Sequence, residues 1–486
     1  MGAHHYLVVS DLHLCDVEDH PDGWKRHKSS DWVFDDELDA LVARFEARLA
    51  PGDRFTYVLN GDIFDFDLVT ALPSTPPWPV RRLERLYGLD PSEPKSVWKL
   101  ERILDDHPGF VATLGRLVAH GHDVVVTVGN HDRELWFEAV AEVLRTRVLA
   151  VAGPVQGDAP RGSVRVEPWF FHVQGEIFIE HGHQYDYYSS FRYNLEPIVQ
   201  RHGETQIALS TGNLSNRFLL SNIGFFNPHA TDFILSGLGY IRHWFRHYAF
   251  TRRMLILTWL LGSLRALLVL LATRARIERN PPRDYDRHIR AAAQRYGLAL
   301  ETARALHGLG RAPITSRFHK IVREFWIDRL LLALGMTGGT IALALSGAAL
   351  WVKLIVPLLA FPLTWFIYDW FAGTGNALTT EYRSHIYARR VARLLPVRAI
   401  VFGHTHLAMT QPLGEDVTFA NSGTWAPTWV VAAGAKPRER GAIVPVPGLR
   451  NFVWVHLPEP EREGGECHVS VGSWMPLTPE PLRARA

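Results

Sequence analysis

Asp, Asn and His side chains stand just past the ends of apolar runs in this sequence. Gly403-His404-Thr405-His406 follows Val397-Arg398-Ala399-Ile400-Val401-Phe402. That run reads as a buried strand, short and rich in branched residues. Two histidines at i and i+2 beyond its end put both imidazoles at one strand-to-loop edge. Gly403 lets the backbone come close to whatever sits there. Alone, such a pair is as well explained by an ordinary turn. It is not alone. Tyr6–Ser10 runs into Asp11-Leu12-His13, and Phe55–Leu59 into Asn60-Gly61-Asp62-Ile63-Phe64-Asp65. Val124–Val128 runs into Gly129-Asn130-His131-Asp132, and Ile177–Ile179 into Glu180-His181-Gly182-His183. Each run delivers a metal-ligating residue type at its C-terminal end, where open α/β sheets place their ligands.

The elements between must carry these strands to one edge. Residues 11–62 read as a β-α-β unit whose helix has apolar spacing at Phe34, Leu38, Leu41, Val42 and Phe45 and stops at Pro51-Gly52-Asp53. The Pro-rich stretch Leu72–Pro79 excludes helix interior, so 70–98 is expected to be a loop over the site. A helix over 108–120 leads through Gly121 to the Asn130 strand. Another over 377–395 stops at Pro396 before the histidine pair. Val417–Trp425 reads as a strand and turn.

The blocks D-x-H, G-D-x-x-D, G-N-H-D, a lone His and G-H-x-H occur in that order. In this the sequence resembles the calcineurin-like metallophosphoesterase family over roughly residues 5–190 and 380–430. The resemblance implies an α/β fold, a four-layer α-β-β-α sandwich, and a dinuclear metal centre. It implies Asp11, His13 and His406 on one metal, Asp62 bridging, and Asn130, His181 and His404 on the other. Such mixed nitrogen and oxygen donors suit Mn, Fe or Zn better than Mg. It implies His131 as general acid or phosphate contact, with Asp132 holding its tautomer. His183 and Asn130 are expected to meet the substrate, and Asp65 is expected to be structural. Ser10–Leu14 and His181–Asp186 look most like the UDP-2,3-diacylglucosamine hydrolase branch, which acts on a lipid pyrophosphate. Yet His131 stands where that branch usually carries Arg, and the insert here is far longer.

Composition narrows the rest. A formal net charge of +2 over 486 residues argues against a general grip on nucleic acid. Two cysteines, Cys15 and Cys467, make no disulfide framework, so a reducing compartment is expected. The first strand begins at Tyr6, which predicts no secretory leader, and the myristoylation pattern fails at position 6. Between 190 and 376 the character changes. Met254–Ala272, Leu330–Val352 and Leu354–Phe371 are long apolar runs, interrupted by Arg265, Lys353, Pro357 and Pro362. The two later runs approach the ~20 residues that cross a hydrocarbon core, although a buried helical core would read the same way. Eleven Arg face three acidic residues between 241 and 290, including Arg242, Arg246, Arg252, Arg253, Arg274, Arg276 and Arg279. Basic flanks beside apolar helices suit an anionic leaflet, and a solvated basic face is the plainer alternative.

His181 and His404 must share one centre, so the chain between them crosses a bilayer an even number of times or not at all. A hairpin over 330–371, turning at Trp351-Val352-Lys353, satisfies this, with 254–272 lying at the interface, and a wholly interfacial arrangement is the alternative. The expected organisation is a phosphoesterase domain in two parts, 1–189 and 377–475, around a membrane-associated helical insertion at 190–376, with a loose tail at 476–486. The expected function is metal-dependent hydrolysis of a phosphomonoester, phosphodiester or pyrophosphate on a lipid-linked substrate. The expected place is the cytoplasmic membrane face. The alternatives are a membrane-anchored phosphodiesterase of soluble nucleotides and a degenerate metal-binding scaffold for a membrane partner.

Overall fold

A computed structural model describes residues 2–20, 25–154, 161–222, 255–325, 327–372, 383–431, 443–446, 448–458 and 467–474. The chain enters on β1 (His4–Val9) and crosses through α1 (Asp35–Glu46) to β2 (Arg54–Asn60). Helices α2 (Arg82–Tyr87), α3 (Glu93–Asp106) and α4 (Pro108–Ala119) precede β3 (Asp123–Thr127). Then come α5 (Glu138–Ala152), β4 (Val164–Glu167), β5 (Phe170–Val173) and β6 (Ile177–Glu180). A short hairpin, β7 (Ile198–Arg201) and β8 (Glu204–Ile207), leads to α6 (Thr211–Phe218). Beyond it lie α7 (Leu255–Arg279), α8 (Tyr285–Arg295), α9 (Leu300–Gly308), α10 (Phe318–Glu324), α11 (Ile327–Leu345), α12 (Leu350–Ala372) and α13 (Ser384–Ala392). The chain closes through β9 (Ala399–Phe402), β10 (Met409–Pro412), β11 (Thr418–Asn421), β12 (Thr428–Val431), β13 (Ile443–Val446), β14 (Asn451–Leu457) and β15 (His468–Ser473).

Two sheets face each other. One runs β15-β14-β1-β2-β3-β4, with β1 to β4 mutually parallel, and the other runs β10-β11-β9-β6-β5, with β6, β9 and β11 parallel. Side chains alternate across each strand, so every strand feeds two cores. Tyr6, Val8, Val58 and Val125 meet Ile177, Ile179 and Val401 between the sheets. Leu7, Val9, Tyr57 and Val124 point the other way, against α1, α3, α4 and α5. Phe178, Ile400 and Phe402 pack outward against Ala292 of α8, Leu306 of α9 and Val391 of α13. The layering is α-β-β-α.

Three expectations are corrected here. Of 70–98, residues 82–87 and 93–98 are helical, because Pro94 falls in the first turn of α3, where its missing N–H costs nothing. The insertion is not one membrane body: α8 and α9 form part of the outer layer of the catalytic sandwich, and Arg295 Nε donates to Glu167 Oε2 at 2.9 Å. The apolar turn sits at residues 346–349, where Ser346-Gly347 stops α11, and Lys353 lies in the first turn of α12 with Nζ donating to Ala344 O at 2.8 Å. The basic positions 242–253, the start of the helix expected at 377 and the tail at 476–486 lie outside the described residues.

Candidate metal centre

Parallel strands end together. The C-terminal ends of β1, β2 and β3 in one sheet and of β6 and β9 in the other converge and set down Asp11, His13, Asp62, Asn130, His181, His404 and His406. Five of these sit in the left-handed backbone region: Asp11 at φ 53°, His13 at 52°, Asp62 at 52°, His404 at 69° and His406 at 60°. For a residue with a Cβ this costs roughly 1–2 kcal/mol each, so the surroundings must hold it. They do so through cross-strand hydrogen bonds. Asp11 N donates to Gly61 O at 3.1 Å, His13 N to Asp62 O at 3.0 Å, and Gly403 N to His181 O at 3.0 Å. Glycine permits the approach. A Cβ on Gly61 would stand 2.5 Å from His181 Cγ, and one on Gly129 would stand 2.2 Å from Asp62 Oδ1.

The expected ligands form two adjacent groups, and a third group, His13/Asp65/His131, shares His13 with the first. In the first, His406 Nε2 lies 3.1 Å from Asp11 Oδ1 and 3.5 Å from His13 Nε2. In the second, His181 Nε2 lies 3.1 Å from Asp62 Oδ2, with His404 completing the group. Donors bound at about 2.1 Å to one ion stand about 3–3.5 Å apart, so these spacings fit a metal. His181 Nδ1 donates to Asn60 O at 2.9 Å, which leaves the Nε2 lone pair for the centre. Asn130 Oδ1 is buried without a hydrogen-bond partner, as a donor atom awaiting a cation would be. Burial pushes the Asp11 carboxyl up, but His406 and His181 outweigh it and bring the pKa down to about 2. Asp62 is likewise held well below the carboxylate range by His181 and His131 against burial. Burial pulls His181 down, yet Asp62 and Asp11 raise it to about 9. Two carboxylates held ionised this deep in the protein, Asp11 and Asp62, define a pocket that demands positive charge. The residues fit two divalent metal ions.

Residues 4–237 match the family model of the calcineurin-like phosphoesterases. No curated protein matches the chain. The family match takes in Asp11, Asp62, Asn130 and His181 and runs on past residue 189 to include α6, while the His404-His406 pair lies beyond it.

Within this phosphoesterase-like centre, His131 borders both donor groups, and its side chain is 12% exposed. Its Nδ1 lies 3.4 Å from Asp65 Oδ2 and 3.6 Å from Asp67 Oδ2. Burial lowers its pKa, but Asp65 and Asp62 outweigh this and hold it well above the usual value. The orienting task expected of Asp132 falls to Asp65 and Asp67. Asp132 instead accepts the backbone N–H groups of Ile63 at 2.8 Å and Gly129 at 2.6 Å, tying the two metal loops together. His183, expected to meet substrate, is 2% exposed and lies beside His181 and Phe191, with no hydrogen bond to either ring nitrogen. Burial and the nearby Arg133 keep it neutral.

Three contributors were not expected. Asn213 Nδ2 donates to Asp67 Oδ2 at 2.6 Å and to Asn130 O at 2.9 Å. Asn216 Nδ2 donates to Asp65 Oδ2 at 3.1 Å. Asp186 Oδ2 lies 3.3 Å from His404 Nε2. The one signal for the asparagines is Ser210, an N-cap residue whose hydroxyl accepts from Asn213 N, opening a helix with Asn at i and i+3.

Proposed function

We propose that this chain is a metal-dependent phosphoesterase acting on a phosphate ester or pyrophosphate of a lipid-linked substrate, from the cytoplasmic side of a membrane. The observation that carries the reaction class is the pair of buried donor groups, Asp11/His13/His406 and Asp62/His181/His404, with His131 beside both. Asp11, His13 and His406 would hold one ion, and Asn130, His181 and His404 the other, with Asp62 shared. Bound divalent ions, of the Mn, Fe or Zn type by donor set, supply charge neutralisation at phosphorus and an acidified water. The rest falls to the chain. His131, oriented by Asp65 and Asp67, places a proton at a phosphoryl or leaving-group oxygen. Helix α6 fixes those carboxylates and shields that side from solvent.

The lipid part of the reading rests on α11 and α12. Each offers a 19-residue apolar span, roughly 28 Å at 1.5 Å per residue, and a hydrocarbon core is about 30 Å thick. No residue of either span is buried against the rest of the chain. An out-and-back hairpin returns the chain to the side it left, as a centre shared between His181 and His404 requires. The resemblance to the UDP-2,3-diacylglucosamine hydrolase branch favours the same kind of substrate.

The test is turnover. The protein should hydrolyse p-nitrophenyl phosphate or its bis ester with added Mn and lose that activity to a chelator. Lipid phosphates or nucleotide-linked lipids should show far higher kcat/KM than their soluble headgroup analogues, since each buried methylene adds about 0.8 kcal/mol. Equal efficiency on the soluble analogues would reduce the hairpin to an anchor, and no metal-dependent turnover at all would leave only a scaffold.

A further inference from the structure

Helix α6 has two working faces. Asn213 and Asn216 face the metal centre, whereas Leu214, Arg217 and Phe218 face a separate cavity of about 80 Å³. Several waters, or one tetrahedral anion, would fill that space. Its other walls are the β7–β8 hairpin, the Arg81–Pro91 segment and the middle of α7.

The cavity is one-sided in charge and in hydrogen bonding. Arg81, Arg201, His202 and Arg217 line it, and Arg276 stands one turn beyond the lining Thr273 on α7. Its two carboxylates are already engaged. Glu84 and Asp90 share Lys95 at 2.7 Å and 3.1 Å, and Asp90 also meets Arg81 at 3.5 Å. Among the described residues neither Arg201 nor Arg276 forms an ion pair. Arg217 Nη2 is used on the carbonyls of Gly88 and Leu89. Three buried nitrogens of the lining have no hydrogen-bond acceptor: Arg201 Nε, Arg217 Nε and Gln206 Nε2. Buried donors left unmade are costly, so a ligand made of acceptors is what the lining lacks. Burial, then Arg276 and Arg217, depress the Arg201 pKa, the same crowding seen from another side.

The remaining lining is apolar: Val199, Ile207, Leu209, Leu214, Phe218 and Val269. One element runs from the basic end to an apolar exterior. Helix α7 carries Arg274, Arg276 and Arg279 at its C-terminal end, and exposes Leu257, Leu260, Leu261, Leu264 and Leu268 along its N-terminal half.

We propose that this cavity is a second binding site, behind α6 and apart from the metals, for the phosphate headgroup of an acidic lipid whose tails lie along α7. Arginine suits the task because its planar donors match phosphate oxygens. The proposal does not depend on what the metal centre hydrolyses.

The probes are dihexanoyl phosphatidic acid, dihexanoyl phosphatidylcholine and inorganic phosphate, titrated calorimetrically against the full chain in neutral-detergent micelles. Asp62→Asn serves to disable the metal centre. Dihexanoyl phosphatidic acid should bind that variant saturably, and the added changes Arg201→Gln and Arg276→Gln should weaken it at least tenfold. In the wild-type background these two changes should leave metal content and p-nitrophenyl phosphate turnover intact, which shows that the chain still folds. Should they fail that check, Thr273→Trp fills the cavity from α7 without touching charge and should block binding by itself. Phosphatidic acid binding unchanged by either alteration overturns the proposal. Phosphatidylcholine binding as tightly would make the site merely apolar, and inorganic phosphate binding as tightly would make it a free-anion site. Either outcome also overturns it.

Discussion

The carboxylate of Asp65 lies 3.4 Å from Nδ1 of His131. With Nδ1 engaged there, the proposed proton donor is the other ring nitrogen, Nε2. His131→Gln should therefore retain its metals and lose roughly 10²–10⁴-fold in rate on poor leaving groups. The loss should shrink with p-nitrophenol, which leaves without help. A uniform loss across leaving groups would mean that His131 binds phosphate rather than delivering a proton.

Metal content gives a second check. Elemental analysis should find close to two transition-metal ions per purified chain. Asp62→Asn should lose both occupancy and turnover, because the proposed function has that carboxylate shared between the two ions. A fully active Asp62→Asn protein would sink the dinuclear reading.

Asn213 bonds both Asp67 and the carbonyl of Asn130. Removing it leaves two buried acceptors with one partner fewer, at about 1–3 kcal/mol. Asn213→Ala should lower the melting temperature and weaken metal retention together. A change in neither would make α6 a bystander to the site.

Elsewhere, Glu18 pairs with Lys25 at 3.0 Å and with Lys28 at 3.1 Å. Burial raises its pKa, but Lys28 and Lys25 bring it well below the usual value. A depressed carboxyl contributes stability above its unfolded pKa of about 4.3 and loses it as pH falls through the folded one. Glu18→Gln should melt lower than wild type at pH 7, and the gap should narrow below about pH 4. A gap that does not change with pH would show that the ion pairs contribute nothing.

The hairpin can be removed on its own. Excising 327–372 with a flexible linker should move the protein from the carbonate-resistant membrane fraction to the soluble one with its metals retained. Excising 190–376 should not preserve the site, since it deletes Asn213, Asn216 and the outer helices α8 and α9. Wild-type protein that is soluble without detergent would exclude a spanning hairpin.

The strand ends and the Asp and His side chains gathered there were legible because a short apolar run followed by Asp or His is a local pattern, and the parallel sheets only had to align it. The layering was expected only from the family resemblance, because the apolar runs by themselves do not say how two sheets stack. Asn213 and Asn216 were not legible: an Asn pair at i and i+3 looks like any solvated helix face until tertiary packing sets it against Asp65 and Asp67. For Asp132, adjacency to His131 suggests a side-chain partner, while its carboxylate accepts the backbone N–H groups of Ile63 and Gly129. The charge of Lys353 suggests a turn there, but helix-stopping Ser346-Gly347 ends α11 earlier, and Lys353 caps that end from the next helix.

Strand order carries a consequence for synthesis. Strand β9 sits between β6 and β11, so the second sheet has an open edge along β6 until β9 arrives. Roughly 220 residues separate Glu180 from Ala399, which at about 5–20 residues per second is roughly 10–40 s of translation. During that interval the ribosome delivers both apolar helices before the last two histidines exist. An unpaired edge invites pairing with another chain, so early membrane capture of the nascent hairpin would also keep half-made molecules apart. The centre would then be completed last, once the hairpin had already emerged.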